Sequence, residues 1–130
     1  MTPLVFFVDR SLGKHTIAEA LRQAGVEVQI HDDHFPQNAT DETWLREVGR
    51  RGWIVLTKDT WIRRRSNERT ALMRAGVRAF VLIAGNLSGP EMARVFVNAL
   101  PAMHRFVVRH NPPFIAKITR SGAVSMLVSI

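Results

Sequence analysis

Three aspartates occupy positions at which a folded α/β chain builds its sites. Asp59 closely follows an apolar run at residues 53–56, and Asp9 directly follows a second run at residues 4–8. Both runs have the length and composition of strands that are buried on both faces of a parallel sheet. Asp41 begins a predicted helix between them. Because open α/β sheets bind ligands at the carboxyl ends of their strands, we expect the three carboxylates to converge there.

The convergence of these carboxylates would create a metal site. Three close carboxylates in a partly desolvated crevice repel one another, and a divalent cation relieves that repulsion. Mg²⁺ or Mn²⁺ is the expected ion, because oxygen ligands favour these metals and the sequence contains no cysteine. Taken singly, each aspartate is explained as well by a loop position, a first-turn charge or a helix cap. The prediction therefore depends on all three occurring together.

The chain is strongly basic. It has 18 Lys and Arg residues against 11 Asp and Glu residues, which gives a net charge of +7 in 130 residues. Such an excess favours a polyanionic partner, with nucleic acid first, although a solubilising surface would carry the same charge. Arginine can bind phosphates in a bidentate manner, so a run close behind Asp59 could hold a nucleic-acid backbone. That run contains Arg63, Arg64, Arg65, Arg69, Arg74 and Arg78.

Other residues near the aspartates have two interpretations each. Lys58 either neutralises a phosphate oxygen and orients an acid, or is an exposed lysine at a strand end; Arg10 is equally ambiguous. Trp61 either stacks on a base or belongs to the core. A second basic patch towards the end of the chain contains His104, Arg105, Arg109 and His110.

The elements that must position these residues alternate between strand and helix. Apolar runs predict strands at residues 4–8, 26–30, 53–56 and 79–83, and a hairpin at residues 114–119 and 123–128. Ser11, Thr40, Ser66 and a capping box at residues 88–91 predict four helix starts, with helices at residues 41–51 and 67–75, and Pro101 kinks or divides the last helix. We expect a single α/β domain, residues 1–130, in which two helix layers enclose a central parallel sheet and the β-hairpin is C-terminal.

The C-terminal hairpin and the composition suggest partners and a compartment. The hairpin is apolar, and an uncovered strand edge invites pairing with another chain, so we expect a homo-oligomer or partner contact there. The amino-terminal segment is apolar for too few residues to be a signal peptide or to cross a bilayer. We therefore expect a cytoplasmic protein without a membrane segment.

The segments that carry the aspartates resemble the PIN-like nuclease superfamily. VFFVDRSLG contains Asp9, and ATDETWLREVGRRGWIVLTKD contains Asp41 and ends at Asp59. The chain is most similar to the small PIN-like toxins of bacterial toxin–antitoxin pairs and to the compact Mut7-C-like branch, over roughly residues 4 to 85. The resemblance implies a three-layer α/β/α fold and a Mg²⁺-dependent endoribonuclease that hydrolyses RNA phosphodiesters and is neutralised by an antitoxin protein.

The resemblance also implies roles for individual residues. Asp9, Asp41 and Asp59 match the positions of metal ligands, and Glu42 is an alternative because the register of its helix start is open. PIN domains commonly have a fourth acid, and neither Glu68 nor Glu91 lies in a matching motif. A catalytically inactive PIN-like module that binds RNA or a partner through its basic surface is the competing interpretation.

A phosphoacceptor receiver domain is a less suitable alternative. Such domains also place acids at strand ends, but their acidic pair follows the first strand. In this chain the pair Asp32 and Asp33 follows the second predicted strand. We therefore interpret these two aspartates as loop residues at the rim of the site.

Overall fold

A six-stranded sheet forms the centre of the molecule. The computed structural model describes residues 4–59 and 66–129, the last two by their backbone only. The strands are β1 (Val5–Val8), β2 (Glu27–Ile30), β3 (Ile54–Thr57), β4 (Arg78–Leu82), β5 (Phe114–Ile118) and β6 (Val124–Ser129). The strand order is β2-β1-β3-β4-β5-β6, and all neighbouring strands are parallel except β5 and β6. The predicted α/β class is confirmed, and each strand lies within one residue of its expected bounds.

Helices cover both faces of the sheet. The helices are α1 (Thr16–Gln23), α2 (Asp41–Arg51), α3 (Ser66–Arg74) and α4 (Gly89–Arg109), with short 3-10 turns at Arg10–Leu12 and His31–Asp33. On one face α1 packs against α4, and on the other α2 packs against α3. The three-layer arrangement follows from the sequence, because successive side chains of a strand point to opposite faces and each face needs an apolar cover.

The two faces have separate hydrophobic cores. Phe6 and Val8 of β1 point into the core under α1 and α4, whereas Phe7 points into the core under α2 and α3. Phe7 is stacked on Trp44 of α2, with 5.5 Å between ring centroids. All four side chains are almost fully buried, and burying each contributes roughly 1.5–3 kcal/mol to stability. This packing buries both faces of β1, which lies between β2 and β3 in the sheet.

Two of the predicted helix starts are confirmed by their caps. The Thr40 hydroxyl accepts a 3.2 Å hydrogen bond from the amide of Thr43. Ser88 and Glu91 exchange the reciprocal hydrogen bonds of a capping box at the start of α4. The cap proposed for α3 adjoins residues 60–65, which lie outside the described residues, as does the helical turn or loop predicted there.

One prediction about a helix start was wrong. Ser11 does not cap α1, which begins at Thr16 after His15 without a side-chain cap. Ser11 lies in a 3-10 turn, and its hydroxyl donates to the carboxylate of Asp9.

Pro101 lies inside α4 and does not divide it, and the kink predicted as the alternative stays a prediction. Pro101 is exposed, so water can replace the hydrogen bond that its missing N–H would have made.

The C-terminal hairpin extends the sheet of its own chain. β6 pairs with β5 in antiparallel orientation, with a bulge between Ile115 and Ala116. Val124 and Met126 pack against the core under α1 and α4. Part of the apolar surface that suggested a partner contact is therefore covered by the chain itself, which weakens that ground for an oligomer. Pairing of another chain along the outer edge of β6 stays a prediction.

Candidate active site at the carboxyl edge of the sheet

The strand order creates a crevice between β1 and β3. After β1 the chain turns to the face of α1, and after β3 it continues towards α3 on the opposite face. At such a switch point the two connections diverge, and open α/β sheets bind ligands in the gap between them. Asp9 and Asp59 follow the two strands that flank this gap. β1 and β3 are neighbours in the sheet, so the two acids follow adjacent strands.

Two hydroxyl groups hold the carboxylate of Asp9. Oδ2 of Asp9 accepts a 2.8 Å hydrogen bond from Thr57 Oγ1 and a 2.9 Å hydrogen bond from Ser11 Oγ. The backbone amide of Asp9 donates to the carbonyl of Leu56, 3.0 Å away, which continues the β1–β3 ladder by one step. The backbone and the side chain of Asp9 are thus both hydrogen-bonded to β3, and its carboxylate has one defined orientation.

The same hydroxyls also hold the segment after β3. Thr57 Oγ1 accepts a 3.0 Å hydrogen bond from the amide of Asp59, and Ser11 Oγ accepts a 3.2 Å hydrogen bond from the amide of Lys58. Each hydroxyl therefore connects a backbone amide of this segment to the carboxylate of Asp9. Lys58 and Asp59 are exposed. The backbone amides of these two residues are nevertheless held close to the buried carboxylate of Asp9 by the two hydroxyls.

The environment of Asp9 suits a cation. Its side chain is 7% exposed, and no Lys, Arg or His side chain forms an ion pair with it in the described part of the chain. An ionised carboxylate that is buried without a charged partner is costly, and two neutral hydroxyls offset only part of that cost. Mg²⁺ is usually bound through one or two carboxylates, with water and substrate phosphates completing its coordination. The residues at this edge fit such an ion.

The helix α2 presents two further predicted ligands that are engaged with their own helix. The carboxylate of Asp41 accepts a 2.9 Å hydrogen bond from the indole of Trp44. Oε1 of the exposed Glu42 lies 3.5 Å from Nη2 of Arg46. Over residues 4–59 and 66–129, no three His, Asp or Glu side chains lie together as a metal-binding group. Thr57 connects the backbone of Asp59 to the carboxylate of Asp9, and no comparable hydrogen bond in the described part of the chain connects Asp41 or Glu42 to Asp9.

A buried histidine lies on the other side of Asp9. His31 is 2% exposed, and its burial lowers its pKa, although the nearby carboxylates of Asp9 and Asp32 oppose this. Nδ1 of His31 is 3.7 Å from Oδ1 of Asp32. The other oxygen of Asp32 pairs with Lys14 at 2.9 Å, which lowers the pKa of Asp32. Asp32 and the exposed Asp33 lie in the 3-10 turn that follows β2, and their place at the rim of the site stays a prediction.

The predicted nucleic-acid contacts divide into two groups. Arg10 is exposed next to Asp9, where its guanidinium donates to the carbonyl of Gln37, and Arg69 is half-buried in α3. Arg78 begins β4 at the amino edge of the sheet and donates to the carbonyl of Gly52. The prediction that Arg78 lies close to Asp59 with the other arginines was therefore wrong. Arg74 ends α3, near that same edge. Arg63, Arg64, Arg65 and Trp61 lie outside the described residues.

The second basic patch is also remote from the crevice. It occupies the last part of α4, which ends close before β5 begins, at the amino edge of the sheet. His110 stacks on Phe106 with 4.0 Å between ring centroids. His110 therefore has a packing role. The position of the patch at the amino edge does not support a contact with RNA bound at the crevice.

The hydroxyl pair that positions Asp9 is absent from the predictions made from the sequence. Ser11 has the pattern of a helix cap, and no role is assigned to Thr57. The signal lies in hydroxyl residues that flank both acids, two positions after Asp9 and two before Asp59. Hydrogen bonding between them depends on the pairing of β1 with β3, which a local reading does not include.

The fold and this carboxyl edge define a PIN-like domain. Residues 4–84 match the family model described as "PIN like domain", and the chain belongs to that family. The chain is similar to the "Putative ribonuclease VapC45" of Mycobacterium tuberculosis (strain ATCC 25618 / H37Rv), with 31% identity over 125 residues, 93% of this chain and 90% of that protein. No solved structure matches the chain significantly. None of the described helices is both long and apolar enough to span a bilayer.

Proposed function

We propose that this protein is a metal-dependent endoribonuclease whose reacting phosphate binds at the crevice between β1 and β3. The observation that carries the proposal is the almost buried carboxylate of Asp9, held by two hydroxyls and lacking a cationic partner among the described residues. Membership of the PIN-like family supports it, as does similarity to a relative named as a ribonuclease.

Each residue at the crevice has a distinct task in this proposal. Asp9 and Asp59 hold the divalent cation, and Ser11 and Thr57 keep the Asp9 carboxylate in place. When bound, Mg²⁺ or Mn²⁺ supplies an activated water and compensates the charge of the phosphate. Lys58 neutralises a phosphate oxygen beside Asp59. Asp41 and Glu42 are the less favoured ligands, since their carboxylates already contact Trp44 and Arg46 of their own helix.

The partners follow from the same proposal. RNA is the substrate, held through cations including Arg10, Arg69 and the arginine run Arg63–Arg65. An antitoxin protein neutralises the nuclease, as in the toxin–antitoxin pairs that the chain resembles. The site of action is the cytoplasm. Residues 1–130 fold as a single domain.

The direct test is cleavage of an RNA panel by the wild-type protein with Mg²⁺ or Mn²⁺. Chelation should abolish cleavage, and Asp9→Asn and Asp59→Asn should each lower its rate by at least about 100-fold, because loss of a ligand exceeds the usual effect of an outer-shell change. Asp33→Asn is the matched control, since Asp33 is an exposed aspartate of the loop after β2. Unfolding curves establish that the variants are folded.

The competing function, an inactive binding module, predicts a different pattern. RNA would bind with or without metal, no RNA would be cleaved, and Asp9→Asn would have no effect beyond stability. The toxin role is tested separately by expression in bacteria. Growth arrest that is relieved by Asp9→Asn and by co-expression of a small protein encoded beside the gene supports it, and unimpaired growth on wild-type expression contradicts it.

A further inference from the structure

A cavity opens at the carboxyl end of β4, next to the crevice. It has a volume of about 270 Å³ and lies between the end of β4, the loop that follows it and the first turns of α4. β4 is the neighbour of β3, and Val81 is paired with Thr57. Its lining is Lys58, residues 81–87 and Met92. We call it the β4 cavity.

Lys58 connects the β4 cavity to the candidate active site. Its backbone amide donates to Ser11 Oγ, which in turn donates to the carboxylate of Asp9, while the residue as a whole lines the cavity. Asp59 is the next residue in the chain. A group bound in the cavity would therefore lie immediately beside a phosphate held at the crevice.

The β4 cavity is lined by polar and apolar surface in similar amounts. Ile83 is 38% exposed, one of the two large apolar side chains that are exposed in the described part of the chain, and Leu87 is half-buried, whereas Val81, Leu82 and Met92 are buried. None of the described residues that line the cavity is acidic. Concave sites that combine apolar side chains with a few directional polar groups are typical of small-molecule ligands. Unpaired RNA bases are recognised in this way, through apolar contact and hydrogen bonds along an edge.

Asn86 supplies the directional polar group. Its φ is 58°, and it is the one non-glycine residue with positive φ in the described part of the chain. Asparagine tolerates this left-handed conformation better than most residues, and backbone strain of this kind is concentrated at binding loops. Its amide offers two donors and an acceptor, which complements the mixed edges of nucleobases.

We propose that the β4 cavity binds one unpaired base of the RNA, next to the phosphate that is cleaved. In this arrangement Ile83 and Leu87 contact the faces of the base, Asn86 hydrogen-bonds to its edge and Lys58 contacts the intervening phosphate. The base that fits would set the sequence preference of cleavage. This inference rests on the proposed ribonuclease function, and its test must separate the two.

Binding measured without cleavage provides that separation. Fluorescence anisotropy with the four homopolymeric RNA pentamers in the presence of a chelator compares base preference in wild type and variants. We expect wild type to prefer one base by about 10-fold, since a site built to hydrogen-bond a ligand discriminates strongly against one that lacks the group. Asn86→Asp, which replaces two donors by acceptors, should change the preferred base. Asn86→Gly, which keeps the positive φ accessible, should abolish the preference.

Asn98→Asp is the matched control. Asn98 is exposed on α4 and does not line the β4 cavity, so the same chemical change there adds only a negative charge. It should weaken all four pentamers equally. Equal binding of the four pentamers by wild type, or an unchanged order of preference in both Asn86 variants, would overturn the inference.

Cleavage then distinguishes the remaining outcomes. If wild type cuts RNA and the Asn86 variants cut at the same sequences, the nuclease function stands and the base site is wrong. If base preference depends on Asn86 while no metal supports cleavage, the base site stands and the nuclease proposal fails. Loss of antitoxin neutralisation in Asn86→Gly, with RNA binding unchanged, would assign the cavity to the protein partner and overturn the inference.

Discussion

The carboxylate of Asp9 accepts a 2.8 Å hydrogen bond from the hydroxyl of Thr57, which lies 48 positions further along the chain. Both groups are buried. Parallel pairing of β1 with β3 brings the two groups together, and the Thr57 hydroxyl also accepts a hydrogen bond from the amide of Asp59. The Thr57 side chain thus fixes the carboxylate of one candidate ligand, Asp9, relative to the backbone of another, Asp59. This relationship makes the orientation of Asp9, rather than only its presence, a property that mutation can change.

Replacing Thr57 tests that orientation. Thr57→Val keeps the shape but removes the hydrogen bond to Asp9, and we expect cleavage to fall by about 10- to 100-fold, the usual cost of losing an outer-shell partner. The free energy of unfolding should fall by about 1–3 kcal/mol, because a buried carboxylate loses a donor. Thr57→Ser retains the hydroxyl and should stay near wild type. Full activity of Thr57→Val, measured as initial cleavage rate, would contradict a positioning role.

Arg10 should contribute to RNA affinity through charge. It is exposed beside Asp9, so Arg10→Ala should weaken the binding of every RNA sequence and reduce the slope of log affinity against log salt by about 0.7, as for one phosphate contact with a single strand. Arg105→Ala is the control, because Arg105 lies in the second basic patch. A salt series of binding curves gives both slopes. Identical slopes in the two variants would refute a local contact.

Gly49 should be required for the packing of α2 against α3. A Cβ built on Gly49 would lie 2.2 Å from the backbone oxygen of Ala75, a distance that real contacts do not reach. We expect Gly49→Ala to lower the free energy of unfolding by about 1–3 kcal/mol, as overpacking does. At Gly85 a Cβ meets nothing within 4 Å, so Gly85→Ala should change stability by less than about 0.5 kcal/mol. Urea unfolding of both variants measures the difference.

The acid stability of the fold should depend partly on Glu47. Hydrogen bonds from Arg50 and Arg51 lower the pKa of Glu47 from 4.5 to about 2. Since the folded pKa is below the unfolded one, the stabilisation is complete above pH 4.5 and is lost as pH falls towards 2. Glu47→Gln should therefore be less stable than wild type near neutral pH and approach it at low pH.

Urea midpoints across this pH range measure the effect of Glu47. The control is Glu27→Gln, since Glu27 is an exposed carboxylate without an ion pair in the described part of the chain. A difference between wild type and Glu47→Gln that does not vary with pH would show that the ion pairs contribute nothing to acid stability.

Local patterns were sufficient to predict most of the fold. Continuous apolar runs identify the parallel strands because such strands are buried on both faces, and the caps at Thr40 and Ser88 use side chains within a few residues of their targets. Placing Asp9 and Asp59 at one edge needed only the alternation of strands and helices. The assignment of metal ligands among Asp9, Asp41, Asp59 and Glu42 stays a prediction.

The amino-acid sequence by itself determined the class of fold, the family and the location of two acids at strand ends, because these depend on periodicity and on neighbours in the chain. Only the tertiary structure decided which groups the acids contact. Ser11 has the local signature of a helix cap, yet β3 offers its hydroxyl a buried carboxylate and a backbone amide to join. Asp41 has the position of a ligand, yet the indole of Trp44 lies one helical turn away. Hydrogen bonds between distant residues depend on strand pairing and packing, which no short stretch of sequence contains.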